Sequence, residues 1–154
     1  MAVSRYGTQY CVSEWGYTSA RPYADPFNQV ELDVVFTDEQ GREWCVPAYW
    51  AGGQEWRVRL GPPAVGMYTY RTVCSDEGNP DLHGQTGTLQ VVPYEGQNPL
   101  LKHGPLHVSA DGTHLEHADG TPFFWLGDTW WMGFCKRLGW PEDFQRLTAD
   151  RVQK

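Results

Sequence analysis

Apolar and polar residues alternate along much of the N-terminal part of this chain. From Gln29 to Thr37, the residues Val30, Leu32, Val34 and Phe36 share one face while Glu31 and Asp33 take the other, the period of a half-buried strand. Asp38 to Gly41 (DEQG) supplies a turn. Trp44 to Trp50 reads as the next strand, and Ala51 to Gln54 (AGGQ) closes a hairpin. Glu55 to Leu60 alternates again, with Trp56, Val58 and Leu60 inward and Glu55, Arg57 and Arg59 outward. After Gly61 to Gly66, the run MYTYRTVC places Tyr68, Tyr70, Thr72 and Cys74 on one face. A loop rich in Asp, Gly, Asn and Pro (Ser75 to Gly87) precedes a last strand, Thr88 to Val92. Six or seven short strands between residues 8 and 95, with no helical period, predict a mainly β fold: an immunoglobulin-like β-sandwich over residues 1–95. The Cys–Trp–Cys framework of antibody domains is absent, so the likeness is one of architecture.

Residues 96–104 read as a linker, because Gly, Asn and Pro break any period there. Beyond it the pattern changes. The tetrapeptide ADGT occurs at 110–113 and again at 118–121, predicting two tight turns around a short strand, His114 to His117. Next comes PFFWLGDTWW, in which the continuous apolar run Phe123 to Leu126 suits a strand buried on both faces, with Asp128 near its end. A first helical piece is expected from Thr129 to Leu138, stopping at Gly139. A second has Pro141 in its first turn beside Glu142 and Asp143, with Phe144, Leu147 and Arg151 or Val152 lining its inner face. No stop signal follows it, so the chain is expected to be cut from something longer.

Composition narrows the function classes. The 154 residues include 8 Trp, 8 Tyr and 6 Phe together with 17 Gly and 11 Pro, in keeping with a turn-rich β chain. A net charge of −7 without a basic run argues against nucleic acid or an anionic membrane as partner. No stretch approaches the ~20 apolar residues of a membrane helix. The N-terminus lacks the apolar core of a secretion signal, which leaves either a cytoplasmic protein or one whose signal has been removed. Cys11, Cys45, Cys74 and Cys135 are far apart, so neither a zinc site nor a disulfide scaffold is indicated; reduced, buried thiols are expected. His114 and His117 would face opposite sides of a strand, and with His103 and His107 they read as surface residues near turns. No metal and no cofactor is expected.

Two resemblances now apply. The pieces DPF (Asp25 to Phe27), AYWAGG (Ala48 to Gly53), EWRVRLGP (Glu55 to Pro62) and GMYTYRT (Gly66 to Thr72) resemble the small β-sandwich domain of unknown function, DUF5060-like, found at the N-terminus of certain glycoside-hydrolase-like proteins. From GPLHVSADGTHLEHADGTPFFWLGDTWW onward the chain is similar to the opening of an apiosidase-like (DUF4038-like) glycoside hydrolase. That resemblance implies a (β/α)8 barrel, of which residues 105–154 would form the entry hairpin and the first βα unit, a truncated barrel. A whole barrel takes ~250 residues. In that family the acid and nucleophile carboxylates lie on later strands, and hydrolysis needs both. No catalytic residue is therefore assigned, and this chain alone is expected to be inactive, with carbohydrate as partner of the full-length protein.

Three substrate-binding candidates remain. Asp128 would contact a sugar hydroxyl at the end of the first barrel strand, or cap the helix after it; the two roles are compatible. Trp130 and Trp131 would stack on sugar rings or pack the strand–helix junction, and adjacent helical residues diverge by about 100°, so one at most faces a pocket. In the sandwich, Trp15, Tyr17, Tyr23, Trp44, Tyr49, Trp50 and Trp56 raise the possibility of a sugar-binding face; strand parity puts Trp44 and Trp50 inward with Val46 and Tyr49 outward. Arg57 and Arg59 read as cross-strand charge partners. The alternative to a hydrolase fragment is a stand-alone carbohydrate-binding or protein-interaction module. The exposed barrel fragment is expected to favour self-association.

Overall fold

The computed structural model describes residues 3–127, 129–130, 133 and 135–153. They are mainly β, and they divide into two compact units, 1–123 and 124–154.

The first unit is built on two facing sheets. One has the order β1 (Val3–Thr8), β8 (Thr86–Val92), β7 (Gly66–Cys74), β3 (Leu32–Asp38), β4 (Glu43–Pro47); the other runs β2 (Ser13–Thr18), β6 (Glu55–Leu60), β5 (Tyr49–Gly52). The alternation read from the sequence sets their faces. Leu32, Val34 and Phe36 from β3, Tyr68, Tyr70 and Cys74 from β7, and Leu89 and Val91 from β8 meet Trp15, Tyr17, Trp56, Val58 and Leu60 from the second sheet in one core. Aromatic rings tie the sheets together: Trp15 lies edge-on to Phe36 at 5.7 Å and tilted against Tyr70 at 5.5 Å. Such contacts add to the area term that dominates burial of large rings.

Two strands depart from the sequence pattern. Val3–Thr8 was not among the expected strands, since it carries few apolar positions; it pairs in parallel with β8, from Val3 opposite Gly87 to Thr8 opposite Val92. The single strand expected from Trp44 to Trp50 is two strands. It breaks at Ala48, and the halves join different sheets, β4 beside β3 and β5 beside β6. The change of sheet keeps the expected parity, with Trp44 and Trp50 on the core face and Tyr49 on the outer one. Trp44 stays opposite Phe36 and packs against the core, half-buried, whereas Trp50, although opposite Trp56, is 37% exposed at the open edge. Asp25 caps the short helix α1 (Pro26–Gln29), accepting from the Asn28 amide.

The linker contains one helical turn, α2 (Pro99–Lys102), capped by the Asn98 side chain. A small meander follows, β9 (Leu106–Val108), β10 (Leu115–His117) and β11 (Pro122–Phe123), with β10 in the middle. Both expected Asp-Gly turns form, with Gly112 and Gly120 at φ 72° and 83°, a region that costs other residues strain. His117 is not a surface residue, as the sequence reading had it. It is buried, its Nδ1 lies 2.7 Å from the Gly104 carbonyl oxygen, and its ring meets Phe123 edge-on at 5.3 Å. The cysteines also differ from expectation. Cys74 alone is buried; Cys11 and Cys135 are half-buried and Cys45 is exposed.

In the second unit, α3 (Glu142–Val152) forms where the Pro-Glu-Asp start signal stands. Phe144 and Leu147 are half-buried, as expected of its inner stripe, while Arg151 and Val152 are exposed. The other two expected elements differ. Only Phe123 of the apolar run is in a strand, and Phe124, Trp125 and Leu126 are 84%, 72% and 78% exposed. No helix occurs among the described residues of 129–138, where turns and bends replace it. A helix that short is marginal unless an apolar face is packed, and Gly133 adds to the cost.

Candidate functional site

Of the three substrate-contact candidates, Asp128 and Trp131 lie outside the described residues, and Trp130 is described. Trp130 meets Phe144 of α3 edge-on at 5.3 Å, so its ring takes part in packing. Beside it is a cavity of about 280 Å³ within the second unit, lined also by Arg137, Leu147 and Arg151. No carboxylate lines this cavity among the described residues. Two acidic side chains of α3 have partners: Asp143 accepts from the Gly139 amide at 3.1 Å, and Asp150 stands 3.9 Å from Arg151. This cavity therefore brings no pair of carboxylates together among the described residues, as flanking a scissile bond would require.

The meander carries the densest polar clusters, and each serves a turn. Asp111 accepts from the Ser109 hydroxyl at 2.7 Å and from the Thr113 amide and hydroxyl, and these bonds hold its carboxyl down at about 2. Asp119 does the same for the second turn. Its bond to His103 Nδ1 at 2.6 Å, with help from Thr121, holds it far below the usual carboxylate range. Accepting several donors stabilises the ionised form, which is the cause of both shifts. His107 and Glu116 pair across β9 and β10 at 3.0 Å. No group of three or more metal-ligating side chains is assembled among the described residues.

The sandwich holds a more open arrangement. Arg57 and Arg59 are the cross-strand partners expected of them: Glu14, opposite Arg59, accepts from both, and Arg57 also pairs with Glu55 at 2.8 Å. The Arg59 bond chiefly, with one from Tyr49, holds the Glu14 carboxyl below its ordinary value. The Tyr49 hydroxyl donates to Glu14 at 2.9 Å while the Arg59 guanidinium stacks 4.9 Å from its ring centre. Partial desolvation, then the hydrogen bond to Glu14, pushes the Tyr49 phenol up. Next in sequence, Trp50 Nε1 donates to the Gly53 carbonyl at 3.1 Å. Both exposed rings are therefore fixed by polar bonds at their far ends. The motif AYWAGG marked the place and strand parity put Tyr49 outward, but the edge position of β5 that leaves Trp50 uncovered has no local sequence signal.

Comparison with known proteins agrees with both resemblances. Residues 7–75 match the model of a domain of unknown function (DUF5060), and residues 109–154 match the apiosidase-like catalytic domain. A crystal structure of a candidate glycoside hydrolase from Bacteroides vulgatus ATCC 8482 superposes with a TM-score of 0.67 at 23% identity, over 81% of this chain. The match spans 22% of that protein. No curated protein matches the chain. At that identity the superposition establishes the fold, and each of the two domain matches covers less than half of the chain.

Proposed function

We propose that this chain is the N-terminal portion of a glycoside hydrolase acting on plant-type or other complex polysaccharide. The sandwich (1–95) is its accessory and scaffold domain, residues 96–104 the linker, and residues 105–154 the first hairpin and βα unit of a (β/α)8 barrel. One observation carries the reading: a match to the DUF5060 domain and a match to a catalytic domain follow each other in one chain, whose fold superposes on 22% of a much longer candidate hydrolase. Asp128 and one of Trp130 and Trp131 are its substrate contacts, because residues at the end of a barrel strand face the pocket. The chain alone is inactive, since the acid and the nucleophile come from later strands.

The test is a comparison of two polypeptides on aryl glycosides and on plant polysaccharides. The 154-residue chain should release no sugar, whereas the polypeptide encoded by the continuing reading frame should. Hydrolysis by the short chain would overturn the reading, and so would a stop codon directly after Lys154.

A further inference from the structure

Where β4 and β5 part at Ala48, the sandwich is open along one edge. The opening is a groove of about 460 Å³, lined by Phe27, Val30, Glu31, Asp33, Tyr49 and Trp50 among others. That volume falls in the range of small-molecule clefts, ~300–1,000 Å³. The lining has two kinds of surface. Phe27, Tyr49 and Trp50 are 72%, 39% and 37% exposed, three large rings around one opening. Glu31 and Asp33, one exposed and one half-buried, bring carboxylates to the same groove.

Isolated exposed rings are ordinary on protein surfaces, but two of these are held in place. Tyr49 is fixed by Glu14 and Arg59, and Trp50 by the Gly53 carbonyl, so little side-chain freedom remains to be lost when a ligand docks. A flat ring face suits the C–H face of a sugar, and a carboxylate accepts from one or two neighbouring hydroxyls. The two negative charges oppose an acidic polymer. Strand addition by a peptide fits poorly here. The edge strand β5 has a register break between Trp50 and Gly52, and β4 ends at Pro47, which has no amide hydrogen to offer.

We infer that this groove is a non-catalytic binding site for a neutral polysaccharide, with Phe27, Tyr49 and Trp50 as stacking faces and Glu31 and Asp33 as hydroxyl acceptors. The class of ligand rests on the carbohydrate reading above, but the site needs no barrel chemistry. Its test reads binding, so it fails separately from the hydrolysis assay.

The experiment is affinity electrophoresis of the 154-residue chain in gels containing arabinoxylan, xyloglucan, galactomannan or polygalacturonate. At least one neutral polymer should retard the chain and polygalacturonate should not. Phe27→Ser and Trp50→Ala should each weaken the retardation about tenfold or more, the range expected when a central ring contact is removed. Phe27 is so exposed that its replacement leaves the fold intact, which circular dichroism will verify. Retardation by none of the neutral polymers, equal retardation by polygalacturonate, or wild-type binding by both variants would each overturn the inference.

Discussion

Tyr49 and Trp50 are consecutive on β5 and face opposite sides of their sheet, yet their exposures are nearly equal, 39% and 37%. Tyr49 sits with Arg57 on the outer face, and Trp50 sits with Trp56 on the core face. Trp56 is 1% exposed, because it lies in the middle strand under the facing sheet, while the edge position of Trp50 leaves it uncovered. The two tryptophans should therefore respond differently to truncation. Trp56→Ala should cost about 3–5 kcal/mol in denaturant unfolding, and Trp50→Ala about 1 kcal/mol or less. Similar losses would mean that the edge is closed in solution.

A second relationship concerns Asn79, whose Nδ2 donates to the Ser19 hydroxyl at 2.8 Å and to the Tyr23 hydroxyl at 2.7 Å. Tyr23 in turn donates to Asp76 at 2.7 Å, and that bond, followed by Arg21, holds the Asp76 carboxyl below its ordinary value. The network clamps the loop after β2 to the loop after β7. Asn79 and Ser19 are 1% and 0% exposed, so Asn79→Ala strands buried polar groups and should cost ~1–3 kcal/mol with an unchanged denaturant slope. Tyr23→Phe removes less, about 1 kcal/mol.

Gly87 lies opposite Val3 on one side and Tyr70 on the other. A Cβ there would come within 2.5 Å of the Val3 carbonyl oxygen and would also collide with the Tyr70 hydroxyl. Since the Val3 atom is backbone, β1 has to move. Gly87→Ala should loosen the parallel β1–β8 pair, seen as faster amide exchange in 3–8, with a loss of ~1–3 kcal/mol. Unaltered exchange over β1 would show that the pair is not as tight as described.

The acid limb of stability should include the two Asp-Gly turns. Asp111 sits at about 2 when folded, against ~3.9 in an unfolded chain. A depressed carboxyl adds stability that is fully present above the unfolded value and is lost as pH falls towards the folded one. The difference in melting temperature between wild type and Asp111→Asn should be constant above about pH 5 and should shrink below about pH 4. Asp119, held lower still by His103, should keep its contribution to a more acidic pH.

Phe124, Trp125 and Leu126 present three adjacent apolar side chains to solvent. Patches of that kind drive association. Light scattering of the 154-residue chain should show mass rising with concentration, and Phe124→Ser with Leu126→Ser should reduce it. A concentration-independent monomer would remove self-association from the picture.

Much of the sandwich was legible because a strand's alternation is local. Val34, Phe36, Trp56, Val58, Tyr68 and Tyr70 are buried as their positions required. The Asp-Gly turns were equally readable, since each needs only its own carboxylate and a glycine at positive φ. The candidate site was less so. The motif left Trp130 either stacking on a sugar or packing the junction, and its ring meets Phe144 edge-on. Neither the groove at Phe27 nor the burial of His117 has a signature within a few residues of itself.

The sequence by itself determined where the strands and turns lie and which face of each strand is apolar, because side-chain period and turn chemistry act over a few bonds. Tertiary structure alone decided that the chain crosses between sheets at Ala48, that Val3–Thr8 closes the larger sheet in parallel, and that the described residues of 129–138 are in no helix. Each of these depends on partners distant in sequence, or on their coverage. A strand's edge, and therefore the exposure of Trp50, exists only once the sheets are assembled.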